Sequence, residues 1–386
     1  MKPTNILIAG AGGIGRSVAL ILAEWSATDY HIWLGDANAT VLEEALTWLQ
    51  ASTTQDPAIF HSFEMSKEGA TEALKEALEK GAIILDCLPG KLAPKIAQYA
   101  LDYDLHYANL TEYVEETNQI IELAKQANKG FVLQTGLAPG FINILGKSLY
   151  EQFASSHQVK QAERLLMAVG ALTQTALSPH YYGFTWSPIG VATEYLKPAN
   201  ALREGKITEL SALSEREPLL INGKAYEVDI TSGGAADLPQ YFEGKIAQLD
   251  YKTIRYPGHY AWIEEQIAQL QAQGKLSSTA LQAIMKEHIP RVENDLVVMY
   301  AAVSGKNAQG ELHQVEQFYH IYPTQVGKAT LRAIQVTTAA PLAQIAENLL
   351  AGKIQGPYFQ SQIDSQAFFE GTFVRKMLEE NTAYNF

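Results

Sequence analysis

Residues 5–15 read Asn-Ile-Leu-Ile-Ala-Gly-Ala-Gly-Gly-Ile-Gly, and this stretch decides the fold class. Asn5–Gly10 is a short apolar run ending in glycine, the pattern of a buried strand, and Ile14, Val18, Ile21 and Leu22 then recur at helical spacing. Between them Gly10-Ala11-Gly12-Gly13-Ile14-Gly15 fits G-x-G-x-x-G. Gly10 permits a tight turn, Gly12 lets the backbone approach a pyrophosphate, and Gly15 lets the helix pack closely on the strand. The helix N-terminus supplies N–H groups and a positive dipole end. Asp36 ends a second apolar run, 21 residues after Gly15, where a carboxylate accepts hydrogen bonds from ribose hydroxyls. It also repels a 2′-phosphate, and Ala37-Asn38-Ala39-Thr40 contain no arginine to hold one, so NAD is favoured over NADP. A ligand-free glycine turn and a helix-entry aspartate are the plainer readings. The order strand, turn, helix, strand, acid weighs against them.

Working outward, the alternation repeats. His31–Asp36 reads as strand and Asn38 to about Leu49 as helix, with Asn38 as N-cap. Ile59–Met65 is a weaker strand, followed by a charged helix over Lys67–Glu79. Ala82–Leu88 is a strong strand closed by Pro89-Gly90. Helices over Pro94–Leu101 and Glu115–Ala127 separate strands at His106–Thr111 and Phe131–Leu137. Strands alternating with helices in this way predict βαβ units and a mainly parallel sheet covered on both faces. After about residue 155 the pattern changes. Arg164–Leu172, Tyr181–Trp186 and Leu219–Thr231 read as strands, the last with an Asn222-Gly223 turn inside it. Val297–Val303 and Val315–Tyr322 flank a polar loop and predict an antiparallel hairpin. Tyr260–Gln273 and Ser278–Glu287 are helical, so a separate α+β domain is expected. From Gly327 long helical patterns return, through Leu349 and over Gln366–Leu378.

The chain of 386 residues carries 29 Lys and Arg against 42 Asp and Glu. An acidic chain without a basic run is a poor partner for nucleic acid or an anionic membrane. Its single cysteine, Cys87, excludes an intramolecular disulfide and a cysteine-cluster metal site, and in an apolar strand it reads as a structural thiol. No histidine pair has H-x-x-x-H spacing, so no metal is expected. The first residues read as strand and turn, without a basic segment ahead of an apolar run, and a cytoplasmic location is expected.

Further segments go beyond a generic dinucleotide fold. They are Leu88-Pro89-Gly90, His106-Tyr107-Ala108-Asn109-Leu110-Thr111-Glu112 and Thr135-Gly136-Leu137-Ala138-Pro139-Gly140-Phe141. With the start of the chain they resemble the saccharopine dehydrogenase family. Tyr181–Pro188 (YYGFTWSP), Glu194–Ala199 (EYLKPA) and Ile254–His259 (IRYPGH) resemble its lysine 6-dehydrogenase branch. The resemblance implies a Rossmann-type doubly wound parallel sheet with an inserted α+β substrate and dimerisation domain. The boundaries expected are 1–140 for the dinucleotide-binding domain, completed by C-terminal helices over 327–386, and 141–326 for the second domain. It implies NAD(P)-linked hydride transfer at the CH–NH group of an amino acid or polyamine, interconverting amine and imine. The relatives carry Tyr-x-Asp where this chain has Tyr107-Ala108-Asn109.

In a doubly wound sheet the ligand lies at the carboxyl ends of the strands. Leu88, Pro89 and Gly90 are therefore expected beside the cofactor, with Ala11, Gly13 and Ile14 of the turn. Asn109, Thr111, Gly136, Leu137, Pro139 and Gly140 are expected near substrate, the last four as a turn whose N–H groups hold a carboxylate. Glu112 is the preferred acid/base or ammonium partner, although by residue type alone a first-turn helix glutamate favoured by the dipole fits slightly better. Arg255 suits a substrate carboxylate, and His259, titrating near neutrality, is a second catalytic candidate. Tyr182, Thr185 and Trp186 are pocket-lining candidates, and Lys147 reads as solvated. The leading expectation is an amino-acid dehydrogenase of lysine metabolism using NAD. The alternatives are a carboxynorspermidine dehydrogenase-like imine reductase of polyamine metabolism and a non-catalytic dinucleotide-binding protein. The apolar character of Ala329–Leu350 predicts burial, which a second subunit of a homodimer or larger homo-oligomer would supply.

Overall fold

The strand-forming run at the start of the chain folds as Thr4–Ala9 (β1) and feeds through the glycine turn into Gly13–Trp25 (α1). The structure is a computed structural model and describes residues 3–66, 69–111, 114–157, 162–177, 179–307, 309–352 and 354–381. Tyr30–Asp36 (β2), Ala39–Ser52 (α2), Phe60–Glu64 (β3), Glu72–Lys80 (α3) and Ile83–Asp86 (β4) follow. Next come Ala93–Asp102 (α4), His106–Asn109 (β5), Val114–Ala124 (α5) and Gly130–Val132 (β6). Asn38 caps α2 as its side chain predicts, its Oδ1 accepting from the N–H groups of Thr40 and Val41.

The middle of the chain runs Phe141–His157 (α6), Ala162–Thr173 (β7), Pro188–Glu194 (α7), Ala199–Arg203 (β8), Lys206–Leu210 (β9), Glu217–Ile221 (β10) and Lys224–Ile230 (β11). Leu238–Phe242 (α8), Ile246–Arg255 (β12), His259–Ala272 (α9), Ser278–His288 (α10), Asp295–Lys306 (β13) and Leu312–Ile321 (β14) complete it. The last part contains Thr324–Val326 (β15), Ala329–Leu331 (β16), Ala333–Leu350 (α11), Gly356–Tyr358 (β17), Ser365–Phe369 (α12) and Thr372–Glu379 (α13).

The chain divides into two compact units. The first holds residues 1–141, 324–331 and 335–380, and the second holds 142–323, 332–334 and 381–386. In the first, a seven-stranded parallel sheet has the order β17-β6-β5-β4-β1-β2-β3, which is a Rossmann-type doubly wound arrangement. Leu7, Ala9, Ile84, Tyr107 and Phe131 share one buried cluster with Leu74 and Leu78 of α3, Ile96 of α4 and Ile120 of α5. Ile6 and Ile8, alternating with them, are buried on the other face, where α1 and α2 pack on β1 and β2. Polar residues therefore have few places among these strands, which gives Asp86 its interest below.

The second unit has a mixed sheet in the order β10-β11-β12-β7-β13-β14, with β8 pairing on β12 and β9 on β8. The predicted hairpin of β13 and β14 and the Asn222-Gly223 turn between β10 and β11 are present, with φ of 46° and 74° at the two turn residues. Tyr181–Trp186, expected as a strand, makes only an isolated bridge from Phe184 to Arg291. Phe131–Leu137 is strand only to Val132, because the chain turns at Gln134, whose φ is 63°. The apolar face of α11 needs no second subunit to be buried. Val336, Ala339, Leu342, Ala343, Ile345, Ala346 and Leu349 are all buried within the single chain.

Candidate functional site

The turn after β1 is shaped by close approach. Gly10 has φ +103°, a region glycine enters at no steric cost, and a Cβ at Gly15 would lie 1.8 Å from the Gly10 carbonyl oxygen. Gly12 is different, because a Cβ there would meet nothing within 4 Å. It is also the N-cap of α1 and supplies no side-chain cap, so the helix entrance presents its N–H groups outward. Gly13 accepts a hydrogen bond at its carbonyl from Gln335 Nε2 (3.1 Å). Ile14 is half-buried. The Asp36 carboxylate accepts from the Ala11 N–H (3.0 Å) and the Asn38 N–H (2.9 Å), so it is fixed beside the turn. An open Gly12, an uncapped helix entrance and an anchored carboxylate fit the pyrophosphate and ribose of a dinucleotide. Arg16 lies one residue past Gly15, its guanidinium 4.8 Å above the Trp48 ring.

Around β4 to β6 the sheet end is held by side chains that sequence reasoning passed over. Asp86 is buried at the end of β4, in register with Asn109 of β5. Its Oδ1 accepts from the Leu88 N–H (3.0 Å), which positions the turn through Pro89 and Gly90. Its Oδ2 accepts from the Tyr107 hydroxyl (2.8 Å), and that oxygen in turn accepts from Asn109 Nδ2 (3.3 Å). Burial raises the Asp86 carboxyl to about 7, against the opposing hydrogen bonds from Leu88 and Tyr107. A charged residue inside the run Ile-Ile-Leu-Asp was the available signal, since Asp is seldom fully buried without a partner. Burial also pushes the Cys87 thiol up, so it does not offer a thiolate.

Both ends of the Asn109 side chain are engaged within the protein. Its Nδ2 is committed to Tyr107, and its Oδ1 accepts from the Gln134 N–H (2.9 Å). Its carbonyl accepts from both the N–H and the hydroxyl of Thr135, at 2.9 Å each. A side chain only 1% exposed with both ends engaged supports the neighbouring turn. Thr111 is buried just beyond, and Glu112 lies outside the described residues. Past Gln134, Gly136 and Gly140 close on each other. The Gly136 carbonyl accepts from the Phe141 N–H, and a Cβ at Gly140 (φ +132°) would lie 2.1 Å from that same oxygen. Leu137 is buried in the turn, and the Ala138–Pro139 peptide is cis.

The second unit gathers a different cluster. Arg255 at the end of β12 donates from Nε to the Tyr195 hydroxyl (2.6 Å) and from Nη1 to the Ile254 carbonyl (2.9 Å). Its guanidinium lies 4.7 Å above the Tyr182 ring and 5.5 Å from that of Tyr195. It forms no ion pair among the described residues, and its Nη2 makes no hydrogen bond there. The Tyr182 hydroxyl and the Thr185 hydroxyl, both buried, also make none. A guanidinium stays charged at any accessible pH, and the Glu194 carboxylate acts on this buried charge electrostatically.

His259 begins α9 in the same cluster. The His180 carbonyl can only accept, so His259 Nδ1 carries the proton and donates to it (2.8 Å), while Nε2 accepts from Tyr195 (3.0 Å). Burial, with Arg255 nearby, lowers its pKa to about 3. The expectation of a histidine titrating near neutrality therefore fails: this imidazole is neutral, with both nitrogens occupied, and it orients Tyr195. Lys147 is not solvated either, being buried and paired with Glu151 (2.7 Å). Among the described residues no group of three or more His, Cys, Asp or Glu side chains is placed to hold a metal, and no helix is long and apolar enough to cross a membrane.

Comparison with known proteins agrees with this architecture. Residues 6–133 match the saccharopine dehydrogenase NADP binding domain, and residues 136–380 match the saccharopine dehydrogenase C-terminal domain. Among solved structures, the chain is similar to apo saccharopine dehydrogenase (L-Glu forming) from Saccharomyces cerevisiae. That match has 15% identity, covers 95% of this chain and 96% of the other, and has a TM-score of 0.73. It is also similar to a homospermidine synthase from Legionella pneumophila in complex with NAD, at 14% identity over 98% of this chain and 90% of that one, with a TM-score of 0.64. With both domain models matched in order along nearly the whole chain, this NAD(P)-binding, oxidoreductase-type protein belongs to the saccharopine dehydrogenase family.

Proposed function

We propose that the protein is an NAD-dependent dehydrogenase that interconverts amine and imine on a substrate bearing a carboxylate, nearest in type to lysine 6-dehydrogenase. The observation that carries the substrate class is Arg255. It is a buried guanidinium that forms no ion pair among the described residues, although the Glu194 carboxylate acts on it electrostatically. A carboxylate is the ligand that answers a planar pair of N–H donors. The preference for NAD rests on Asp36, whose fixed negative charge disfavours a 2′-phosphate.

The nicotinamide, when bound, supplies the hydride acceptor. The chain's own residues do the remaining work. Gly12 and the entrance of α1 hold the pyrophosphate, Asp36 takes the adenosine ribose, and Arg255 takes the substrate carboxylate. Tyr195, fixed by His259, keeps the guanidinium in plane. Glu112, at the end of the segment Tyr107–Glu112, serves as the acid/base.

An anaerobic absorbance scan with NAD and then NADP, against lysine, saccharopine and a set of diamines, tests this reading. NADH formation with lysine or saccharopine and not with 1,5-diaminopentane is the expected result. Turnover confined to diamines would move the protein to polyamine chemistry. Nucleotide binding without turnover of any amine would favour a non-catalytic dinucleotide-binding protein.

A further inference from the structure

Two turns at the carboxyl end of the first sheet depend on one buried carboxyl group. The turn after β4 is held directly, through the Leu88 N–H on Asp86 Oδ1. The turn after β6 is held at second hand, through Tyr107, Asn109 and the Gln134 N–H. Gln134 occupies a left-handed conformation unusual for a side chain of its type, so its backbone needs an external partner to stay there. With Asp86 ionised, above about pH 7, the direction of every bond in this chain is determined. A carboxylate can only accept, so the Tyr107 O–H must donate to Asp86 and its oxygen is left to accept from Asn109. The Asn109 amide is thereby oriented with Nδ2 toward Tyr107 and Oδ1 toward the Gln134 N–H. An asparagine turned the other way would set two acceptors against each other at Tyr107 and two donors against each other at Gln134.

We propose that Asp86 is a positioning residue for the ligand end of this unit, setting the Leu88–Gly90 turn directly and the Gln134–Gly140 turn through Tyr107 and Asn109. It is not a catalytic residue. At 2% exposed, with both oxygens engaged inside the protein, it touches neither cofactor nor substrate. Its action is to keep the two turns at one fixed spacing. The functional consequence rests on reading those turns as ligand-binding, whereas the hydrogen-bond chain itself does not.

The chain has a mirror image that provides the test. With Asp86→Asn and Asn109→Asp combined, the residue at 86 accepts from Leu88 and donates to Tyr107. Tyr107 then donates to the residue at 109, which accepts from Gln134. Each single substitution breaks this pattern. Asp86→Asn alone sets two donors on the Tyr107 oxygen and leaves its proton only the more distant Ala93 carbonyl (3.4 Å), and Asn109→Asp alone offers one hydroxyl proton to two carboxyl groups. The measurement is amide hydrogen exchange on the full chain without ligand, followed at Leu88 and at Gln134–Thr135, with the β1 and β2 amides as internal controls. Either single substitution is expected to speed exchange at Gln134–Thr135 at least tenfold, and the double substitution to restore it to within about threefold. Tyr107→Phe is the second variant. It cuts the link and leaves both ends, so Leu88 stays protected while Gln134–Thr135 loosens.

A double variant no better protected than the sum of the singles would overturn the proposal. So would Tyr107→Phe leaving Gln134–Thr135 unchanged. NAD binding, titrated on the same proteins by quenching of tryptophan fluorescence, reports separately on the ligand reading. If exchange follows the pattern and NAD binds none of the proteins, the network stands and the dinucleotide assignment falls.

Discussion

In the first unit the groups offered to a ligand are the backbone N–H donors at the entrance of α1, and their geometry is set by the glycines of the Gly10–Gly15 turn. In the second unit Tyr182, Tyr195, Arg255 and His259 come from four separate segments, and the geometry is enforced by large side chains packed against one another. A backbone site is part of the fold wherever a new side chain would meet backbone, as at Gly15. A side-chain site built around a buried charge without an ion pair works against the fold, so removing the charge relieves part of that cost. Substitutions in the two regions should therefore separate stability from binding in opposite senses.

The largest effect is expected at Gly15. A Cβ there collides with backbone, which cannot swing aside, so Gly15→Ala should cost several kcal/mol and leave little folded protein, as read by urea denaturation. Gly12→Ala is the control within the same turn. With nothing within 4 Å of the new Cβ, its stability should match the parent, while NAD affinity falls because the methyl group stands where the pyrophosphate approaches. Equal stability loss in both variants would break the division of labour between these two glycines.

Next in size is a pH effect. Burial raises the Asp86 carboxyl from its ordinary value to about 7, so between about pH 4 and 7 the folded state binds more protons than the unfolded one. The stability Asp86 contributes is complete below that window and is lost as pH rises through it. His259 runs the other way. Its pKa is lowered to about 3, so its contribution is complete above its ordinary value near 6.5 and is lost as pH falls toward 3. Asp86→Asn adds a mismatch at Tyr107 that does not vary with pH and removes the titration. Its stability relative to the parent should climb between pH 4 and 7 by on the order of a few kcal/mol. Parallel urea-denaturation curves for the two proteins across this range would show that Asp86 does not titrate there.

The same contrast explains what could be read before the structure was known. The glycine turn, Asp36 and the Asn38 cap are local patterns, in which residues a few positions apart determine one another's geometry, and they fold as expected. The parallel sheet followed from the alternation of periods. The strand β12 escaped notice because Asp250, Lys252 and Arg255 make it look solvated. Asp250 is paired with Arg203 (2.7 Å), and Lys252 donates to the Glu215 carbonyl and the Glu217 carboxylate. Those partners lie more than thirty residues away in the chain, where no periodicity links them. Asp86 and Tyr107 were hidden for a related reason, since their partnership exists only once β4 and β5 are in register. The segment Tyr181–Trp186 alternates like a strand and has aromatic strand formers. Its aromatic residues instead fill the clusters around Arg255 and His259, where packing overrides local preference.

Arg255 carries the sharpest test of the second region. Arg255→Met keeps much of the volume between Tyr182 and Tyr195 and removes a buried charge that forms no ion pair among the described residues. Apolar replacements of buried charges are often neutral or stabilising, so the loss of stability should stay below about 1 kcal/mol. The Km for a carboxylate-bearing amine should rise roughly tenfold to a hundredfold, the range of a lost charge-assisted bond, while the Km for the matching diamine is unchanged. A large drop in stability with equal effects on both amines would make Arg255 a structural residue and remove the basis for an amino-acid substrate.

The smallest effect concerns cofactor choice. Asp36 holds Ala11 and Asn38 through its two oxygens, so its role is part geometry and part charge. Asp36→Asn keeps one acceptor and removes the charge, and it separates the two contributions. Repulsion of a 2′-phosphate is electrostatic and should fall with the charge. The turn should persist, because the Asn side-chain oxygen can still accept from the Ala11 N–H. NADP affinity is therefore expected to rise about tenfold with NAD affinity falling by less, measured by fluorescence titration at low salt, where the charge is least screened. The gap between the two proteins should narrow as salt is raised. An NADP affinity that ignores both the substitution and the salt would mean that the geometry of the turn, rather than the charge of Asp36, selects the nucleotide.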